Sequence, residues 1–219
     1  MPEKIKNVAV IGLGRFGFSL AVNLQQLGCN VLAIDSDADV IENIKDSISQ
    51  ALVLDATDEI ALREAGVGDM DAVCISTGRD LQSSILTALL VKKLGVNYIL
   101  ATAINDLHKK ILEKIGVNLI VFPEKDMGAR IAYRLTHPTV LERIEVSPDV
   151  EMIEIDPLEW MIGRSLSEID LPKRYGIRIF AIRRGDKTIT ELTGDTRILK
   201  GDKIYIYGKH SVIERFVEH

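Results

Sequence analysis

Cysteine, long apolar runs and excess positive charge are all in short supply in this chain, and each shortage removes a class of protein. Only two cysteines, Cys29 and Cys74, occur in 219 residues, in or beside expected strands and without C-x-x-C spacing. That pattern excludes a disulfide scaffold and reads as core thiols in a reducing cytosol. The longest apolar stretches, such as Ile85 to Val91, are far too short to span a bilayer, and Met1 to Lys6 leads into the first strand without a signal-peptide region. Any membrane role is therefore expected to go through a partner. The net charge of -5 offers no electrostatic footprint for nucleic acid or anionic membranes. A poised acid or base is missing too. None of the four histidines, His108, His137, His210 and His219, follows a strand where it would face a hydride acceptor. His137 instead suits the C-terminal end of a helix.

What is present is a regular alternation of strand and helix patterns through about residue 136. Val8–Ile11, Val31–Ile34, Ala51–Leu54, Ala72–Ile75, Tyr98–Ala101 and Leu119–Phe122 read as strands, near-continuous apolar runs as in a sheet buried on both faces. Helical patterns separate them, and three end at Gly28, Gly95 and Gly116, which suits left-handed caps. A further helix is expected over Lys125–Leu135. The fold class expected is α/β, a Rossmann-type doubly wound parallel sheet over residues 1–136. His137-Pro138 breaks the pattern, and Val140–Val146 reads as a connection to the turn at Ser147-Pro148-Asp149. Residues 137–219 are then a linker and a smaller α+β domain with strands at Glu151–Ile155, Ile177–Arg183, Thr188–Glu191 and Lys203–Tyr207 and a closing helix at Ser211–Val217.

The candidate chemistry gathers where the first-domain strands end. Val8–Ile11 runs into Gly12-Leu13-Gly14-Arg15-Phe16-Gly17, a G-x-G-x-x-G turn opening a helix. In such a unit Gly12 makes the tight turn, Gly14 lets the backbone approach a pyrophosphate, and Gly17 lets helix and strand pack; the diphosphate sits on the helix N-terminus. Asp35 ends the next strand about 20 residues on, where a carboxylate holds ribose hydroxyls and disfavours a 2′-phosphate. Ser36 leaves the ribose edge open. Asp55-Ala56-Thr57 follows the third strand, where an adenine would lie, although Thr57 or Asp58 also reads as a plain helix cap. Thr77-Gly78-Arg79 follows the fourth strand beside the expected phosphates, with Asp80 capping the next helix; Arg79 equally reads as a surface arginine. Arg15 reads either as a guanidinium forked onto phosphate oxygens or as a solvated side chain.

Taken together, the glycine turn, Asp35-Ser36, Asp55-Ala56-Thr57, Thr77-Gly78-Arg79-Asp80-Leu81-Gln82 and Phe122-Pro123-Glu124-Lys125-Asp126-Met127-Gly128 resemble the RCK family, cytoplasmic regulators of potassium conductance, here of the Trk/Ktr uptake type. Ile162-Gly163-Arg164-Ser165-Leu166 and Lys200-Gly201-Asp202 look like that family's C-terminal domain, so the resemblance covers essentially the whole chain. It implies a non-enzymatic subunit that forms dimers and then a ring, often of eight, at the inner face of the cell membrane beneath a separate integral-membrane potassium transporter subunit. Its first domain would bind ATP, ADP or NAD(H), and ligand exchange would gate the pore. Arg15 would meet the terminal phosphate of ATP, Asp35 the ribose, and Asp55 with Ala56 the adenine. Glu124 corresponds to a position where some members place a divalent cation, magnesium or calcium, although it also reads as a helix N-terminal charge. Ala101-Thr102-Ala103 departs from the Ala-Lys-Ala of many relatives. In some relatives the C-terminal domain binds a second ligand, including cyclic dinucleotides; here Leu171-Pro172-Lys173-Arg174-Tyr175 reads as a solvated loop. The alternatives are a small NAD-dependent oxidoreductase, which the same glycine turn supports, and a regulatory module of another cation transporter or antiporter.

Overall fold

The computed structural model describes residues 5–78 and 80–217, with the backbone alone at 145. Arg79, named above as a phosphate or ribose contact, therefore lies outside the described residues. The chain divides into two compact units, Met1–Asp126 and Met127–His219.

The first unit is a six-stranded sheet of β1 (Asn7–Ile11), β2 (Asn30–Asp35), β3 (Gln50–Val53), β4 (Ala72–Ile75), β5 (Tyr98–Thr102) and β6 (Leu119–Val121). All pairs are parallel and the order is β3-β2-β1-β4-β5-β6. Both faces are dry because each strand carries apolar residues at odd and even positions. On one side Val8, Val10, Val31 and Ala33 meet Ala21 of α1 (Arg15–Gln26) and Ile41 and Ile44 of α2 (Ala38–Ile44). On the other, Ile11, Ile34, Ile75 and Ile99 meet Leu62 of α3 (Glu59–Glu64), Ala88 and Val91 of α4 (Leu81–Lys93) and Leu112 of α5 (Asp106–Ile115). This is the doubly wound arrangement, with its topological switch between β1 and β4, where ligands of such sheets bind.

Among α1 to α5 the helix starts show one asymmetry. Asp37, Asp58, Asp80 and Asn105 cap α2, α3, α4 and α5, each side chain accepting a backbone N–H one or two residues inside its helix. Helix α1 begins at Gly14 with no side-chain cap. Its first-turn N–H groups are left for something else.

The division between the units falls inside α6 (Pro123–Thr136), whose Tyr133 packs on the core of the second unit. That unit holds β7 (Val140–Ser147), β8 (Val150–Ile155), β9 (Arg178–Arg184), β10 (Lys187–Ile189) and β11 (Lys203–Lys209), an antiparallel sheet ordered β10-β9-β11-β8-β7. Alternate residues of β8 and β11 are buried, and Ile153, Ile155, Ile204 and Ile206 pack on α7 (Leu166–Ile169), α8 (Leu171–Tyr175) and α9 (His210–Val217). Two expectations are corrected here. Val140–Val146 is no connection but most of β7, an edge strand whose Glu142, Arg143 and Glu145 disguise its alternation. Leu171–Tyr175 is no solvated loop: it is α8, entered through Pro172 in its first turn, with Leu171 in the core. The Lys200-Gly201-Asp202 turn is fixed by Asp202, whose buried carboxylate takes both Nε and a terminal nitrogen of Arg184 at 2.8 Å and the Leu199 N–H at 2.8 Å. No helix among the described residues is long and apolar enough to cross a membrane.

Candidate functional site

The glycine turn does three different jobs at its three glycines. Gly12 has φ +86°, a region that L side chains rarely adopt, and a Cβ there would lie 2.3 Å from the Ser76 carbonyl oxygen. At Gly17 a Cβ would lie 1.9 Å from the Gly12 carbonyl oxygen, so α1 can seat against β1 only without a side chain there. Gly14 is different: a Cβ would meet nothing within 4 Å. Its missing side chain faces open space, at the uncapped, positive end of α1.

Asp35 closes the next side. Its Oδ2 accepts the Leu13 N–H at 2.7 Å and its Oδ1 the Asp37 N–H at 3.0 Å. The carboxylate thus braces the glycine turn against the start of α2, while each oxygen keeps a second lone pair for a ligand.

Between these groups and the loops after β3 and β4 lies a crevice of about 290 Å³. Of the residues expected there, Gly12, Gly14, Asp35, Ser36, Asp55, Ala56, Thr57, Thr77 and Gly78 line it. Asp55 Oδ1 accepts both the Thr57 N–H at 2.9 Å and the Thr57 hydroxyl at 2.7 Å. Those two bonds, the hydroxyl first, hold its carboxyl below the usual carboxylate range. Asp58, not Thr57, caps α3. The Ser83 hydroxyl at 2.6 Å and the Ser83 N–H at 3.0 Å likewise hold the Asp80 carboxyl below the usual carboxylate range. The Thr77 hydroxyl is enclosed in the wall and has no hydrogen-bond partner among the described residues. An orphaned hydroxyl beside a glycine that faces open space suits a polar ligand with phosphate oxygens.

Other expected residues lie elsewhere. Arg15 is exposed on the first turn of α1 and borders a neighbouring depression with Leu13, Phe18 and Val40, outside the crevice wall. Phe16 is half-buried and Gly17 buried behind the turn. Glu124 is exposed in the first turn of α6, and among the described residues no group of three His, Cys, Asp or Glu side chains is arranged to hold a metal ion. Glu124 alone does not make a cation site.

Two lining residues escaped the sequence reading, Ser83 and Thr87 of α4. The signal existed: Asp80, Ser83 and Thr87 recur at i, i+3 and i+7, a polar stripe beside the apolar positions of the helix. His108, also on an N-terminal helix turn, is fully buried, and burial pushes its pKa down.

Comparison with known proteins follows the same division of the chain. Residues 8–123 match the TrkA-N domain and residues 150–219 the TrkA-C domain. The chain is 39% identical over 211 residues to Ktr system potassium uptake protein C of Bacillus subtilis (strain 168), covering 96% of each. It is 35% identical over 214 residues to Ktr system potassium uptake protein A of the same organism, covering 97% of this chain and 96% of that one. Among solved structures, a GsuK channel bound to NAD superposes with a TM-score of 0.65 at 16% identity. It covers 99% of this chain, which spans only 40% of that protein, and so supports the fold alone.

Proposed function

We infer, from the premise that this chain belongs to the TrkA/KtrA-type RCK family of regulatory proteins, that it senses adenine nucleotides and passes their identity to a membrane potassium transporter. Members of this family are regulatory rather than catalytic subunits, and the chain is read accordingly. The observation that carries the reading is the crevice at the switch point, where an uncapped helix end, the carboxylate that braces the glycine turn and a polar loop line one cavity.

Each part of an adenosine diphosphate finds a partner of the right kind. The diphosphate lies over Gly14 on the α1 N–H groups. The ribose hydroxyls bond the open lone pairs of Asp35, which repels a 2′-phosphate and so disfavours NADP. The base meets the loop 54–58. There the second oxygen of Asp55 is an acceptor, and the Ala56 N–H is a donor that no hydrogen bond among the described residues uses. Adenine offers a 6-amino donor beside the N1 acceptor, the complementary pair; guanine offers the reverse. Thr77, Gly78 and Arg79 are assigned to the phosphates and the second ribose. Because ATP, ADP and NAD(H) share the adenosine part, all three are ligands on this reading. Discrimination falls to groups beyond Gly14, and Arg15 is the group assigned to a terminal phosphate.

Family membership implies assembly as well: dimers, then a ring, docked through its partner on the cytoplasmic face of the membrane. The exposed Met127, Ile131 and Leu135 of α6 and Ile144 and Val146 of β7 are apolar faces suited to such contacts. A divalent cation, magnesium or calcium, would need ligands beyond Glu124 from bound phosphate or from a second copy.

Calorimetric titration with ATP, ADP, NAD, NADH and NADPH, with and without magnesium, tests the reading. Competition among the first four for one site, with NADPH weakest, is expected. Arg15→Ala should weaken ATP much more than ADP, and Glu124→Gln should abolish any magnesium effect. Absence of binding by all the adenine compounds at millimolar concentration refutes the sensor. Failure to co-purify with a co-expressed Ktr-type membrane subunit refutes the transporter assignment.

A further inference from the structure

We propose that Thr87, in the middle of α4, is the positioning residue that gives this crevice its selectivity for adenine. The proposal rests on the adenine-nucleotide reading above. Thr87 is fully buried, yet its hydroxyl lies at the crevice wall and donates to the Ala56 carbonyl oxygen at 3.1 Å, across 31 residues of sequence. A threonine inside a helix ordinarily returns its hydroxyl to a carbonyl of its own preceding turn. Here the bond is spent on a different element.

Its target is the important part. The Ala56 carbonyl and the Thr57 N–H belong to one rigid peptide plane. Thr87 holds the carbonyl end, and Asp55 Oδ1 holds the N–H end at 2.9 Å. The plane is thus clamped from two sides, and the clamp runs on into the Asp55 carboxylate, whose other oxygen is the acceptor offered to the base. The Leu54 N–H bonded to the Asp35 carbonyl at 2.9 Å and the Asp58 N–H bonded to the Asp55 carbonyl at 3.1 Å fix the two ends of the same loop. Without the Thr87 hydroxyl the loop keeps its ends and its Asp55–Thr57 turn but loses the one side-chain tie to α4 found among the described residues. The orientation of the Asp55 carboxylate and the Ala56 N–H is then no longer set by the helix. Val at this position keeps the β-branch and nearly the volume, and exchanges the hydroxyl for a methyl group that cannot donate.

The test compares ATP with inosine triphosphate, which carries an oxygen in place of the 6-amino group and a proton on N1, on wild type, Thr87→Val and Thr87→Ser, by calorimetry. Wild type should prefer ATP by about tenfold or more, since the wrong base leaves both loop groups unpaired. Thr87→Ser should keep that ratio within about twofold, and Thr87→Val should lose most of it. A merely structural role would lower stability in Thr87→Val and leave the ratio of the two affinities intact, which overturns the proposal. Should Thr87→Val not fold, Thr87→Ser against Thr87→Ala makes the same comparison. Failure of the underlying reading shows separately, in a wild type that binds neither nucleotide or binds both alike.

Discussion

The three glycines of the turn carry one sequence signal but should respond to the same substitution differently. At Gly17, alanine would ordinarily stabilise a helix by about 1 kcal/mol. A Cβ 1.9 Å from the Gly12 carbonyl oxygen and 3.1 Å from its carbon cannot be absorbed by a flexible side chain, because both atoms are backbone. Overpacking costs about 1–3 kcal/mol, and a 1.9 Å approach to backbone puts this site at the upper end, so after the helix gain a net loss of about 2 kcal/mol is expected. Gly12→Ala adds to a 2.3 Å approach to Ser76 a backbone at φ +86°, itself worth about 1–2 kcal/mol, and should be the worst of the three. Gly14 sits at φ −61°, ψ −176°, ordinary extended backbone, with room for a methyl group. Alanine as a helix cap costs about 0.5–1 kcal/mol, and the loss of unfolded-chain freedom returns about 0.4–1 kcal/mol, leaving stability almost unchanged. Yet that methyl would stand where the diphosphate must approach. Urea unfolding together with ATP titration reads both effects. Gly17→Ala should lower the unfolding midpoint, whereas Gly14→Ala should leave it in place and weaken ATP by about tenfold or more, the loss of a charge-assisted hydrogen bond of about 1.5–3 kcal/mol when the close approach is blocked. A Gly17→Ala chain as stable as wild type refutes the packing argument, and a Gly14→Ala chain that binds ATP normally refutes the seat proposed for the phosphates.

Other consequences can be checked independently. Burial acts to raise the Asp202 pKa, but the Arg184 guanidinium and the Leu199 N–H overcome it and leave the carboxyl below its usual value. Its stabilising contribution is therefore present above the unfolded value near 4 and lost as pH falls through the folded pKa. Asp202→Ala should cost about 2–4 kcal/mol, below the extreme for a buried pair because Arg184 is partly exposed and can rehydrate; equal melting of variant and wild type would sink this account. His108 has its pKa pushed down by burial, so stability should be complete above the unfolded value near 6.5 and fall as pH drops below it. His108→Leu should flatten that limb of a pH–melting curve, and an unaltered limb would count against the assignment. The Cys74 thiol, buried and pushed up to about 11, should resist iodoacetamide at pH 8 in the folded chain, and rapid labelling there would contradict its placement.

The first unit was the more legible because its signals are redundant. Val8 to Ile11 is apolar at every position, as a strand covered on both faces must be, and the glycine turn follows it at once. Asp80 before an apolar helix could be little but a cap, and it is one. Thr57 and Asp58 could not be separated from sequence, since both residue types cap helices; geometry selects Asp58, whose carboxylate reaches two N–H groups of the first turn. Strand β7 was obscured because Glu142, Arg143 and Glu145 on an edge leave few apolar positions to count, and prolines at 138 and 148 frame the segment like a loop. Helices α7 and α8, of four and five residues, are too short for any periodicity to show. Thr87 was passed over for another reason. A lone threonine in a helix normally satisfies itself locally, and only the fold brings the Ala56 carbonyl within its reach.

On the proposed reading, a crevice that grips the adenosine part common to its ligands has a consequence for what the molecule can report. ATP, ADP and NAD(H) would then be rivals for one seat, and where each exceeded its dissociation constant that seat would never be vacant. Occupancy then follows the ratios of the rivals, each weighted by its affinity, and the size of the total pool cancels out. A ring assembled from such subunits would weigh the make-up of the cell's adenine currency and be blind to its amount, so dilution or growth of the pool alone would leave the pore where it stood.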